Sequence, residues 1–262
     1  MLNTSNLLVA SAGVALITLG AVDKAEAITT IDTTPTWDGF SIGPFGELEN
    51  SSGTGLRGIS SFGQTFTVGT DNVLTDFSLF LMNTPGVENI DIAGYVRAWN
   101  SSTNSATGPI LYQSQPVTVS EPTSFVSFPG RGFQFGEFTF DTGGITLSSG
   151  SQYVAFISIV GLAERPYATT SAGQLNNVYE AGYFVFQQYN SIRSLNQQTI
   201  EQATNVPWFR HSNPVFGTDD AAFRASFVSQ NVSVPEGNSI GGLLVFTLLG
   251  AVAELKKRIQ KV

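Results

Sequence analysis

Three features of the sequence predict an all-β fold. Apolar and polar residues alternate in about ten short runs, clusters of Gly, Asn, Pro and Ser separate those runs, and no strand–helix–strand rhythm interrupts them. In 62–68, Phe62, Gln64, Phe66 and Val68 share a face. In 73–81, Phe77, Leu79 and Leu81 point one way and Asp76 and Ser78 the other, and in 91–99 Tyr95, Arg97 and Trp99 alternate with Val96 and Ala98. Further strands are expected over 110–119, 133–140, 145–147, 153–160, 182–189 and 221–228. The run 153–160, YVAFISIV, is apolar on both faces, which predicts a central strand covered on both sides. The stretch FTF-DTGG-ITL predicts a tight hairpin at Asp141–Gly144. Only 190–205 carries a thin helical stripe, Ile192, Leu195 and Ile200, with a polar loop as the alternative. Short strands with turn-rich connections predict an antiparallel sandwich, jelly-roll-like, over residues 28–233.

Composition bounds the function. The chain has 262 residues, 12% charged against ~25% in an ordinary soluble protein. Twenty Phe, seven Tyr and three Trp supply ample apolar surface, so a disordered polymer is excluded. The absence of Cys excludes disulfides, thiolate metal sites and a cysteine nucleophile, and the single His211 excludes a multi-His metal site. A net charge of −8 argues against nucleic acid as a partner. Between residues 28 and 233 every cation is Arg, at positions 57, 97, 131, 165, 193, 210 and 224.

Both ends carry addresses. Residues 7–22, LLVASAGVALITLGAV, form an uncharged apolar run, and Ala25 and Ala27 make the small-x-small pattern of a signal-peptidase site. Residues 1–27 are therefore expected to be a signal peptide cut after Ala27, with an uncleaved N-terminal anchor as the alternative. Near the other end, 240–253, IGGLLVFTLLGAVA, precedes the basic cluster Lys256, Lys257, Arg258 and Lys261. That order predicts a short transmembrane helix whose C-terminal side stays cytoplasmic. Fourteen helical residues span about 21 Å of a ~30 Å hydrocarbon core, and snorkelling lysines cover part of the difference.

Val234-Pro235-Glu236, then the apolar segment, then the basic tail, resemble the PEP-CTERM sorting tail of exported bacterial proteins, including many cyanobacterial ones, over residues 234–262. Gly237 stands where the usual core has its second Pro. The resemblance implies handling by an exosortase-type membrane peptidase, with transient inner-membrane anchoring followed by release or attachment at the cell surface. GQTFTV, DFSLFL, YVRAW, ATGPILYQS, FTFDTGGITLSSGSQYVAFIS, AGYFVF and AFRASF, between Phe62 and Phe227, are similar to the β-sandwich ectodomain often carried ahead of such tails.

Candidate chemistry is sparse. A nucleophilic triad would need His211 as base, and no Gly-x-Ser-x-Gly elbow accompanies it. Glycoside hydrolysis needs two carboxylates across a cleft, for which Glu47/Glu49 and Asp219/Asp220 are candidates by abundance alone. A structural Ca²⁺, by analogy with jelly-roll sugar-binding folds, would draw on Asp32, Asp38, Glu47, Glu49 or Asp141 in turn-rich segments. Polysaccharide binding would use the flat rings of Trp37, Trp99 and Trp208, with Trp208 the best placed because it sits in a loop. Burial in the core is the competing reading for each indole. The expectation is a non-catalytic exported surface or matrix protein that meets signal peptidase, an exosortase-type peptidase and exopolysaccharide. The alternatives are a glycan hydrolase using a carboxylate pair and a permanently anchored periplasmic domain.

Overall fold

The computed structural model describes residues 28–37, 39, 41–46, 58–83, 90–127, 134–162, 168–172, 178–189, 197–210 and 220–230. The expected signal segment, the apolar segment 240–253 and the expected sorting motif lie outside the described residues. Within them the chain is all-β. The strands are β1 (Ile28–Asp32), β2 (Ser41–Gly46), β3 (Gly58–Thr67), β4 (Val73–Asn83), β5 (Asp91–Asn100), β6 (Ser105–Gln113), β7 (Val117–Thr118), β8 (Ser124–Ser127), β9 (Gln134–Thr146), β10 (Gln152–Ser158), β11 (Ala168–Ala172), β12 (Phe184–Tyr189), β13 (Phe209–Arg210) and β14 (Phe223–Val228). One short helix, α1 (Ile200–Thr204), follows β12.

Hydrogen bonding orders one set of strands β1-β14-β4-β9-β8 and a second β12-β3-β10-β5-β6. They are joined at one margin, where β11 bridges β4 at Ser171↔Leu81 and β2 runs parallel to β3 at Ile59. Every other pair is antiparallel. Alternation turns Phe62 and Phe66 of β3 and Tyr153 and Ile157 of β10 toward Phe77, Leu79, Phe140, Phe223 and Phe227 of the first set. Phe66 lies 6.2 Å from Phe223 and 5.8 Å from Phe227, ring to ring, and Phe77 lies 5.1 Å from Phe140. Gly94 lets the sheets approach, since a Cβ there would sit 2.5 Å from the Phe140 ring. The result is a β-sandwich-like body with a phenylalanine-rich core between two sheets.

Most of the expected strands are present. YVAFISIV contains β10, paired with β3 on one side and β5 on the other and buried on both faces, as its composition predicts. Three expectations need correction. The DTGG stretch is not a hairpin, because β9 runs through it. Leu74 pairs with Ile145 and Asp76 with Asp141, so Thr142, Gly143 and Gly144 bulge opposite Thr75. Gly143 and Gly144 take φ of +68° and +84°, and Asp141 Oδ1 accepts from the Gly143 N–H at 2.8 Å, a turn-like feature without chain reversal. The run 110–119 is split between β6 and β7. The helix expected somewhere in 190–205 is five residues long among the described residues. It starts at a capping box in which Thr199 Oγ1 accepts from Gln202 N and Gln202 Oε1 from Thr199 N, and it ends at Asn205, two residues before Pro207. β1, β2, β8, β11 and β13 were not anticipated.

Candidate functional site

The three tryptophans mark two places. Trp37 packs edge-on against Phe135 at 4.6 Å and Phe80 at 5.3 Å, over the outer face of the first sheet. Trp99 and Trp208 meet edge to face at 5.9 Å on the outer face of the second sheet. Trp208 also meets Phe156 at 5.2 Å, and Phe156 stacks on Tyr95 at 5.1 Å. Both indole N–H groups donate inward, Trp99 Nε1 to Tyr183 Oη at 2.9 Å and Trp208 Nε1 to Thr204 O at 2.9 Å. Relative exposures of 6% for Trp37, 6% for Trp99 and 3% for Trp208 leave no open ring face for a sugar. All three indoles are core side chains here, Trp208 included despite its loop position.

Between Tyr95 and Trp99 on β5 sits Arg97, fully buried. Its guanidinium donates to Thr204 Oγ1 and Asn205 Oδ1, the latter at 2.7 Å, and to the Gly108 carbonyl, while Nε has no hydrogen-bond partner. Burial holds this guanidinium below its usual range, and the nearby Glu201 charge opposes that shift. Arg97 thus fastens α1 and its C-cap over β5 and β6.

The other two described arginines also use the planar fork. Arg224 reaches Glu137 Oε1 at 3.0 Å, Asp32 Oδ2 at 3.3 Å and Thr34 Oγ1 at 2.9 Å. Arg210 lies 4.2 Å above the Tyr183 ring. Arg97 and Arg224 each serve three partners with a fork that a lysine ammonium does not match, and Arg210 stacks on its ring.

The expected acids do not converge on a reactive pair among the described residues. Asp220 is buried; its Oδ1 accepts from Gln64 Nε2 at 2.7 Å and its Oδ2 from the Val178 and Tyr179 N–H groups at 2.7 and 2.9 Å. Gln64 Oε1 in turn accepts from Ala221 N at 2.7 Å, so this carboxylate anchors the start of β14. Asp32 serves Arg224 and the Thr34 N–H, and Asp141 serves Gly143 N. No group of three or more His, Asp or Glu side chains among the described residues is placed to hold a metal ion. Asp38, Glu47, Glu49, His211 and Asp219 lie outside the described residues, as do Ala25, Ala27, Val234, Pro235, Glu236, Lys256, Lys257, Arg258 and Lys261. No helix among the described residues is long and apolar enough to cross a membrane.

What the surface does offer is a neighbour of the expected platform. Phe209 is 47% exposed and stacks on Phe186 with centroids 5.6 Å apart and planes 21° apart. Val206 is exposed beside it, and the Arg210–Tyr183 pair continues the same margin of the second sheet. Which of Trp208 and Phe209 faces out depends on the pairing of β13 with β12 at Val185↔Arg210 and Phe186↔Phe209. No protein-family model matches the chain, and no curated protein matches it.

Proposed function

We propose that the chain is a non-catalytic exported protein of the cell surface or extracellular matrix. In this reading it is delivered by its N-terminal segment, held transiently by 240–253, processed at the PEP-CTERM-like Val234-Pro235-Glu236 motif, and associated with exopolysaccharide. The observation that carries the reading is the order of features along the sequence: an apolar N-terminal run ending in an Ala25-x-Ala27 pattern, a β-sandwich-like body, then Val234-Pro235-Glu236, an apolar segment and a basic tail.

A jelly-roll topology supports the resemblance to the ectodomain. Taking β1, β3, β4, β5, β6, β9, β10 and β14 as strands one to eight, the sheets read 1-8-3-6 and 2-7-4-5, the order of a double Greek-key roll. The exposed ring of Phe209, seated on partly buried Phe186, favours sugar C–H contact in place of the indoles; Phe125 on β8 is exposed as well. Binding is favoured over hydrolysis because Asp32, Asp71, Glu137, Asp141 and Asp220 all accept hydrogen bonds from groups of the fold.

The test is intact mass of the protein from membrane and culture fractions of its native host. A species running from Ile28 to the Val-Pro-Glu region supports export with removal of both ends. Full-length protein confined to the membrane overturns processing and leaves a permanently anchored domain.

A further inference from the structure

The two ends of the folded body leave from the same place. Ile28, first in β1, pairs with Val228, last in β14. A single carboxylate ties both: Thr29 Oγ1 and Ser229 Oγ donate to the two oxygens of Asp71, in the turn between β3 and β4. Those hydrogen bonds hold the Asp71 carboxyl below its usual range. The turn Leu147–Ser151 closes the same end, with Leu147 N donating to Asn72 O and Gly150 N to Val68 O. The opposite end of the sandwich carries the start of β9 at Gln134, paired with Ser127 and Asn83.

We infer that the sandwich stands end-on at the lipid surface, with the Ile28–Val228–Asp71 end against the bilayer and the Asn83–Ser127–Gln134 end pointing away. The inference rests on the anchored-precursor reading above and adds an orientation to it.

Chain reach opposes the inverted orientation. Ten residues, 230–239, separate Ser229, held by Asp71, from the apolar segment at 240. Fully extended, ten residues reach about 34 Å. β4 has 11 residues and so separates the two ends by about 37 Å. Bringing the far end to the lipid with the near end above it would need a tether longer than the chain provides. At the N-terminus only residues 23–27 intervene between the apolar run and Ile28, a reach of about 17 Å.

The chain has no Cys, so single substitutions give unique labelling sites. The full chain carrying Ser149→Cys (near end) or Ser127→Cys (far end) is labelled with a donor dye. It is then reconstituted into phosphatidylethanolamine/phosphatidylglycerol vesicles containing acceptor-labelled lipid. Strong energy transfer from position 149 and weak transfer from position 127 is the expected result. Equal or reversed transfer in protein that floats with the vesicles overturns the orientation alone. Failure of the full chain to float with vesicles overturns the anchored reading together with the inference.

Discussion

Phe66, Phe77 and Phe140 fill the space between the sheets with rings that have no polar group to satisfy. Arg97, Trp99 and Trp208, on the other side of the second sheet, each carry donors that must find acceptors in a buried place. Both layers are buried, but they are specified differently. The inner layer asks for volume and alternation. The outer layer asks for particular partners: Thr204, Asn205 and the Gly108 carbonyl for Arg97, Tyr183 Oη for Trp99, and the Thr204 carbonyl for Trp208. Burial energy is therefore concentrated between the sheets, and conformational choice is concentrated in the cover formed by α1 and the residues after it.

Mutations can break or sharpen that contrast. The largest effect is expected from Phe77→Ala, which removes a fully buried ring packed on Phe140 and Tyr112. It should cost about 3–5 kcal/mol, read from the urea midpoint. Arg97→Met comes next. It leaves Thr204, Asn205 and Gly108 O short of a donor but also removes a buried cation, so about 1–2 kcal/mol is expected. Arg97→Lys should be worse than Arg97→Met, because it keeps a buried charge without the fork. The reverse order would show that the outer layer is held by volume, like the inner one.

A pH titration separates the layers further. Burial, aided by the Glu201 charge, raises the Tyr95 phenol above its usual range. The unfolded chain then loses this proton first, so the stabilisation is complete below pH ~10 and is lost as pH rises through the folded-state value. Tyr95→Phe should leave stability near pH 7 unchanged and flatten the alkaline limb of the denaturation profile; an unchanged limb would place the titration elsewhere. The smallest effect belongs to exposed Phe209. Phe209→Ala should change stability by no more than ~0.5 kcal/mol while lowering retention on the host exopolysaccharide.

The same contrast explains what could be read from the sequence. β3, β4, β5, β10, β12 and β14 were legible because a strand facing a phenylalanine core must repeat every second residue. The outer layer was not. Whether Trp208 is covered depends on Trp99 and Phe156, distant in sequence, and the environment of Arg97 depends on residues 204 and 205. Alternation places Arg97 beside Tyr95 and Trp99 but says nothing about what lies over them. DTGG failed for a local reason. Asp-Thr-Gly-Gly serves a bulge as well as a hairpin, and only the partner register, 74↔145 and 76↔141, decides. The role of Asp220 was equally hidden: adjacency to Asp219 says nothing about the partners, distant in sequence, that make it a buried anchor for a loop and a strand start.

The pairing of Ile28 with Val228 also sets a timetable. The first of the described strands to be made cannot find its neighbour until nearly all of the sandwich has been synthesised. Contacts so far apart in sequence close slowly and late. Until then β14 has an open edge on the side away from β4, and β1 from a second copy matches that edge as well as its own does. Folding at high chain concentration would therefore favour exchanged-strand dimers, whereas folding at low concentration would favour the closed monomer.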